Sequence, residues 1–220
     1  AVRAAALGLI AHRQRVLAVL AGPDGSLELV PTGPVDLAAP WRRRGERWLL
    51  PAEVALDDLA PEARRVATPA PALVQLGVDG DRDVYVDLEA LGALEIDAPA
   101  AEGAAIARAV AATLATSVLA EVATLVGVAV PDAAFCDHRH HVSADTPTDG
   151  VAAAVDAVGS TAFAESSTFE LRARATGGEA WEPAVLVVGP DAGDVPLPRR
   201  TPGVAVVSAA PIVGPSSVLA

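Results

Sequence analysis

Two apolar runs, residues 15–21 and 26–30, flank Gly22-Pro23-Asp24-Gly25, whose proline and glycines supply the fixed and positive φ values of a tight turn. That pattern predicts a β-hairpin. A proline-rich passage follows, then Trp48-Leu49-Leu50 and an acidic segment, 51–65, expected to be helical in part. Pro69 and Pro71 mark residues 68–72 as a linker, which divides the chain into an extension, 1–68, and a larger domain, 69–220. Beyond it, 72–78 and 83–88 flank Asp79-Gly80-Asp81 as a second hairpin. Short apolar runs at 93–97, 124–130, 184–188 and 204–208 have the continuous character of strands covered on both faces. Helices are expected at 102–119, with Ile106, Val110, Leu114 and Val118 in one stripe, and at 148–158. The polar stretch 159–178 reads as a helix end plus surface loop, and 191–202 as a loop. Strand and helix in alternation build a parallel sheet through right-handed crossovers, so the predicted fold is α/β, a mostly parallel central sheet with flanking helices behind an N-terminal β-hairpin extension.

Composition narrows the function more than the fold. Hydrophobic residues reach 52% while aromatics are only 3%, so the core is expected to be aliphatic. Sixteen basic residues, all arginine, face 28 acidic ones for a net charge of -12. This argues against a nucleic-acid surface, which needs clustered cations. Arg42-Arg43-Arg44 with Arg47 is the one basic run; it reads as a solvated loop between strands in preference to a phosphate or anionic-lipid site. A single cysteine, Cys136, forms no internal disulfide. Neither residues 4–10 nor 104–115 approach the roughly 18 apolar residues of a membrane span. With no methionine at position 1, the chain is expected to start inside a longer reading frame.

Cys136-Asp137-His138-Arg139-His140-His141 crowds metal-ligand types together. Neighbours in an extended segment point to alternate faces, so a surface loop or strand entry is expected, with Cys136, His138 and His140 as weak zinc candidates. Neither a helix N-terminus nor a positioned base is visible to activate Cys136 as a nucleophile. Ser166, Ser167, Ser216 and Ser217 lack a Gly-x-Ser-x-Gly elbow, and Trp41, Trp48 and Trp181 read as packing anchors.

The strand at 93–97 followed by a helix is the context in which Gly-x-x-x-x-Gly-Lys-Ser/Thr carries meaning. Residues 98–105 there read Ala-Pro-Ala-Ala-Glu-Gly-Ala-Ala. Only Gly103 survives. Ala98 replaces the first glycine, Ala104 the lysine that would neutralise phosphate, and Ala105 the hydroxyl that would hold magnesium. Glu102 adds a carboxylate that would repel a triphosphate, and Pro99 removes an amide donor.

With these flanks, residues 84–130 and 181–211 resemble the core of FtsK-type and type VII secretion ATPases: strand, phosphate loop, arginine-bearing helix, strand, then a Pro-His-Val-like segment, here His141-Val142. The resemblance implies a degenerate RecA-like P-loop fold. Its Walker B counterpart would be residues 181–188, ending at Val188, where the acidic pair is replaced by Gly189-Pro190 and Asp191 is displaced. The sensor-strand counterpart is 203–211, with Ala209 and Ala210 in place of polar reporters. Residues 73–77, 84–92 and 114–117, above all Asp87-Leu88-Glu89-Ala90, look like the central region of large actinobacterial membrane proteins carrying a LysM segment and a bacterial transcriptional activator domain. Asp87 and Glu89 themselves are expected to alternate outward from a strand end. These resemblances imply a non-catalytic regulatory or protein-interaction domain on the cytoplasmic side of a membrane-anchored regulator, without catalytic residues, cofactor, bound metal or nucleic acid, its partners being other domains of the parent chain or another protein. The alternative is an active enzyme, nucleotide-binding or a metal-dependent hydrolase centred on Cys136, His138 and His140.

Overall fold

A computed structural model describes residues 1–159, 168–174, 182–197 and 201–214. The expected turn at residues 22–25 forms with Gly25 at φ 87°, and the hairpin it closes, β1 (Val16–Ala21) and β2 (Leu27–Pro31), belongs to a larger sheet than the sequence indicated. β3 (Arg42–Arg44), β4 (Arg47–Leu50), β5 (Leu73–Asp79) and β6 (Arg82–Asp87) join it in the antiparallel order β3-β4-β2-β1-β6-β5. The expected hairpin extension is therefore corrected to a six-stranded sheet. It runs across residue 68, because β5 and β6 pair through β1 with strands from before the linker.

One face of this sheet is covered by α1 (Val2–Ala11), whose buried Ala5, Ala6, Leu9 and Ile10 recur at helical spacing. They pack with Val19, Leu29, Trp41, Trp48 and Leu50, so Trp41 and Trp48 do anchor a core, and the same one. Trp181, Ser166, Ser167, Ser216 and Ser217 lie outside the described residues. Within 51–65, the expected partial helix is a 3-10 turn, Leu56–Leu59, and one turn of α2 (Ala60–Ala63).

The arginine run is a strand, not a solvated loop. Arg44 and Arg47 stand directly opposite across β3 and β4, an arrangement that costs energy between like charges. Glu28, buried on β2, resolves it by accepting from Arg44 at 2.6 Å, Arg47 at 3.2 Å and Arg82 at 2.9 Å. Burial pushes the Glu28 carboxyl up, but the Arg47 hydrogen bond and the charges of Arg82, Arg44 and Arg47 outweigh it and hold the group below its ordinary value. Stability from this cluster is thus present above the unfolded-state pKa and lost on acidification. Because the three arginines are 69%, 45% and 28% exposed, water screens much of the attraction. Glu28→Gln is expected to cost about 1–2 kcal/mol in urea unfolding at neutral pH and much less at pH 3; an equal loss at both values would disprove the ionic account.

Through α3 (Leu88–Leu91) the chain enters a five-stranded parallel sheet, ordered β7 (Ala93–Glu95), β12 (Val204–Ser208), β10 (Ala184–Val188), β8 (Thr124–Val128) and β9 (His141–Ala144). β10 and β12 are buried at every residue, as their unbroken apolar sequences require. α4 (Ala100–Thr116) covers one face, meeting Leu125, Val185, Val187, Ala205 and Val207. α5 (Pro147–Val158), its N-terminus capped by the Thr146 hydroxyl, covers the other with Ala154 and Val158. The molecule is thus a mixed α/β fold with one parallel and one antiparallel sheet. A short parallel pair, β11 (Val195–Pro196) and β13 (Ile212–Val213), follows β10 and β12.

Two further expectations are corrected. On α4 the buried face is Gly103, Ala107, Val110, Ala111 and Leu114, while Ile106 is 39% exposed and Val118, beyond the helix end at Thr116, is 86% exposed. Small residues at the contact let the helix lie close to the sheet; of the expected stripe Val110 and Leu114 are buried and Ile106 turns outward. Within the stretch read as helix end plus surface loop, residues 168–174 form a separate helix, α6 (Thr168–Arg174), whose Phe169 and Ala173 enter the core beneath α1.

Candidate functional site at the mouth of the parallel sheet

In an open α/β sheet, ligands bind outside the carboxyl ends of the strands. Here those ends belong to β7, β12, β10 and β8, and β12 lies between β7 and β10. The three stretches singled out in the sequence, 98–105, 188–191 and 209–210, are consequently brought together at one edge.

The turn from β7 to α4 is short. Ile96 donates to the Ser208 carbonyl at 2.7 Å, and the helix begins at Ala100 behind Pro99, which has an extended ψ of 145° and offers no side-chain cap. Gly103, Ala104 and Ala105 therefore stand in the first turns of the helix, and no wide loop precedes them. The amides of Glu102 and Gly103 are spent on the Pro99 carbonyl, at 2.9 and 2.8 Å. Glu102 is exposed, a charge at the helix N-terminus that favours the helix and opposes an anionic ligand. Gly103 is buried, and a Cβ on it would meet Ala209 Cβ at 3.1 Å. The last strand residue of β12, Ser208, is fully buried and turned inward: its hydroxyl donates to the Ala210 carbonyl at 2.6 Å and accepts from the Ala210 amide.

The opposite wall is equally closed. β10 ends at Val188, and the Gly189 amide donates to the Val128 carbonyl at 2.9 Å. A Cβ on Gly189 would fall 2.1 Å from the Ala129 carbonyl oxygen, so two backbones are in contact where the resemblance would place an acidic side chain. A 3-10 turn, Pro190–Ala192, packs against α4 and carries Asp191 at the surface. Sequence reasoning missed Glu95, whose Oε2 accepts from the Ile212 amide at 3.0 Å and ties β7 to the segment beyond β12.

The Cys136 cluster is a surface turn leading into β9, as expected. Cys136 is exposed in the left-handed region at φ 48°, after the 3-10 turn Asp132–Phe135. His138 Nε2 lies 3.3 Å from the Ala120 carbonyl, and its Nδ1 accepts from the His140 amide at 3.3 Å. Both ring nitrogens are thereby engaged, and burial holds the imidazole below its ordinary pKa. The His138 and His140 rings are 6.1 Å apart, and His141 stacks on Phe135. Among the described residues no three His, Cys, Asp or Glu side chains converge as a metal requires.

The strongest electrostatic feature went unread. Asp87 and Glu89 do not point outward; both are buried, since the chain leaves the strand at Asp87 and Glu89 belongs to α3. Glu89 Oε2 is paired with Arg172 of α6 in a short contact, and the Arg172 Nε and Nη2 also donate to the Pro69 carbonyl at 3.2 and 3.1 Å. No helix among the described residues is long and apolar enough to cross a membrane. Comparison with family models, with curated proteins and with solved structures gives no match to this chain.

Proposed function

We propose that this chain is a non-catalytic regulatory or protein-interaction domain, descended from a P-loop ATPase of RecA-like fold and belonging to a larger, membrane-anchored actinobacterial regulator. One observation carries this reading: at the carboxyl ends of the strands, where a polyphosphate would have to enter, Gly103 packs closely against Ala209 and Gly189 against Ala129. The neighbouring strands β7, β12 and β10, matched in the resemblance to phosphate-loop, sensor and Walker B strands, support the descent. Replacement of the lysine, the magnesium hydroxyl and the acidic pair together supports the loss of hydrolysis. The remaining role is to present a surface to other domains of the parent chain or to another protein.

Calorimetric titration with ATP and magnesium, paired with a phosphate-release assay, tests it. No heat of binding up to millimolar nucleotide and no turnover are expected. Micromolar affinity with phosphate release would overturn the reading.

A further inference from the structure

Arginine gathers at one rim of the antiparallel sheet. Residues 1–68 hold nine of the 16 basic residues and eight of the 28 acidic ones, so the net charge of -12 is carried by the rest of the chain. β3, the outermost strand at that end of the sheet, pairs only with β4, and Arg42, Arg43 and Arg44 are all exposed on it. In an antiparallel ladder every second residue turns its N–H and C=O to the free side, so this edge can accept another strand. Arg42 and Arg44 alternate onto one face, which Arg47 of β4 shares because it stands opposite Arg44. Arg43 lies on the other face, opposite Trp48.

The four guanidiniums have donors to spare. Each makes one hydrogen bond among the described residues: Arg42 to Glu53, Arg43 to the Gly45 carbonyl, and Arg44 and Arg47 to Glu28. An arginine presents its N–H groups as a rigid fork that fits a carboxylate bidentately, so most of that capacity is unused. Carboxylates are short here as well. Only Glu28 and Glu53 pair with the four cations, Glu28 is shared with Arg82, and Glu46 of the turn pairs with none of them.

We propose that β3 is a docking edge for an acidic segment of a partner protein, which adds as a further strand and lays alternate carboxylates on Arg42 and Arg44, with Arg47 behind them. Arginines on an edge repel an apolar strand, whose approach would strip water from charges it cannot pair. The residues that guard the edge therefore select a strand that neutralises them. Backbone pairing supplies the register of such a complex and the arginines supply its preference. A membrane or a nucleic acid fits less well, since a broad anionic surface would also meet the exposed Glu46 and Glu53 and a chain of net charge -12. This edge serves the protein-interaction role proposed above, yet it lies on the antiparallel sheet, so peptide titration and nucleotide calorimetry can fail independently.

Fluorescence anisotropy of a labelled peptide alternating glutamate with threonine, titrated with the whole chain, tests the edge. Saturable binding is expected, weakening by ~10-fold or more from low to physiological salt, and a counterpart with glutamine for glutamate should not bind. Arg42→Gln with Arg44→Gln is expected to weaken binding by ~10-fold or more. That variant leaves Glu28 its contacts with Arg47 and Arg82, and an unchanged far-ultraviolet circular dichroism spectrum would show that it folds. Arg108→Gln, which removes an exposed arginine of α4, should bind as the wild type does. Hydrogen exchange supplies the geometric readout: the amides of residues 42–44 should gain protection when the peptide binds. No saturable binding, binding that survives the double substitution or leaves those amides unprotected, or equal affinity for phosphatidylserine vesicles would each overturn the proposal.

Discussion

Replacing Arg172 by alanine is expected to lower stability by about 3–5 kcal/mol, a large share of the roughly 5–15 kcal/mol that holds a domain together. The side chain is 2% exposed, and so is that of its partner Glu89. Truncation strands the Glu89 carboxylate in the interior, where one of its oxygens already has no hydrogen-bond partner among the described residues, and removes the Arg172 donors from the Pro69 carbonyl as well. The charge left behind drives the loss, more than the bond removed. A double variant, Arg172→Met with Glu89→Leu, should accordingly recover most of the deficit, because it removes both charges and fills their volume. Thermal unfolding gives the readout: the single variant should melt about 10 °C lower, and the double variant within a few degrees of the wild type. If the single change moved the midpoint by less than about 2 °C, the pair would not be structural.

That pair also shows where a sequence stops being readable. Continuous valine runs between glycine and proline placed β10 and β12 at the residues observed, and turn chemistry placed both hairpins, because those signals are local. Asp87-Leu88-Glu89 looks like a strand end with outward carboxylates until the helix cap at Asp87 breaks the two-residue alternation. The cation that makes burial of Glu89 tolerable comes from position 172, inside a polar stretch with a helix of only seven residues. The arginine strand was hidden in the same way, since Arg44 and Arg47 are tolerable side by side only through Glu28, on another strand of the folded sheet. On α4 the alanines blur the period that separates a buried face from an exposed one, so Ile106 looks like a core position beside Val110 and Leu114, and the helix ends at Thr116, ahead of Val118.

The candidate site was legible in its chemistry and illegible in its shape. The missing lysine, hydroxyl and acids are read directly from residues 98–105 and 189–191. The close approach of Gly103 to Ala209 and of Gly189 to Ala129 is a matter of tertiary contact, which no local pattern specifies.

Gly189→Ala measures that closure. The backbone at Gly189, φ -76° and ψ 164°, is one an alanine adopts freely, so conformational strain is not the obstacle. The added methyl would instead sit 2.1 Å from the Ala129 carbonyl oxygen, a backbone atom that no rotamer change can move. Relief would require the ends of β8 and β10 to separate, at the expense of the Gly189 hydrogen bond to Val128. A loss of about 3 kcal/mol or more is expected, at the upper end for overpacking. Gly77→Ala supplies the control: an added Cβ there meets nothing within 4 Å, and stability should stay within about 0.5 kcal/mol of the wild type. Equal unfolding midpoints for the two variants would mean that the strand ends are not in contact. Under the proposed descent the same crowding makes the loss of catalysis hard to reverse, because an acid restored at position 189 has no room for its first carbon. Gly189→Asp should therefore be less stable than Gly189→Ala and gain no affinity for magnesium nucleotide, so that recovering such a site would require the β8 and β10 ends to move apart first.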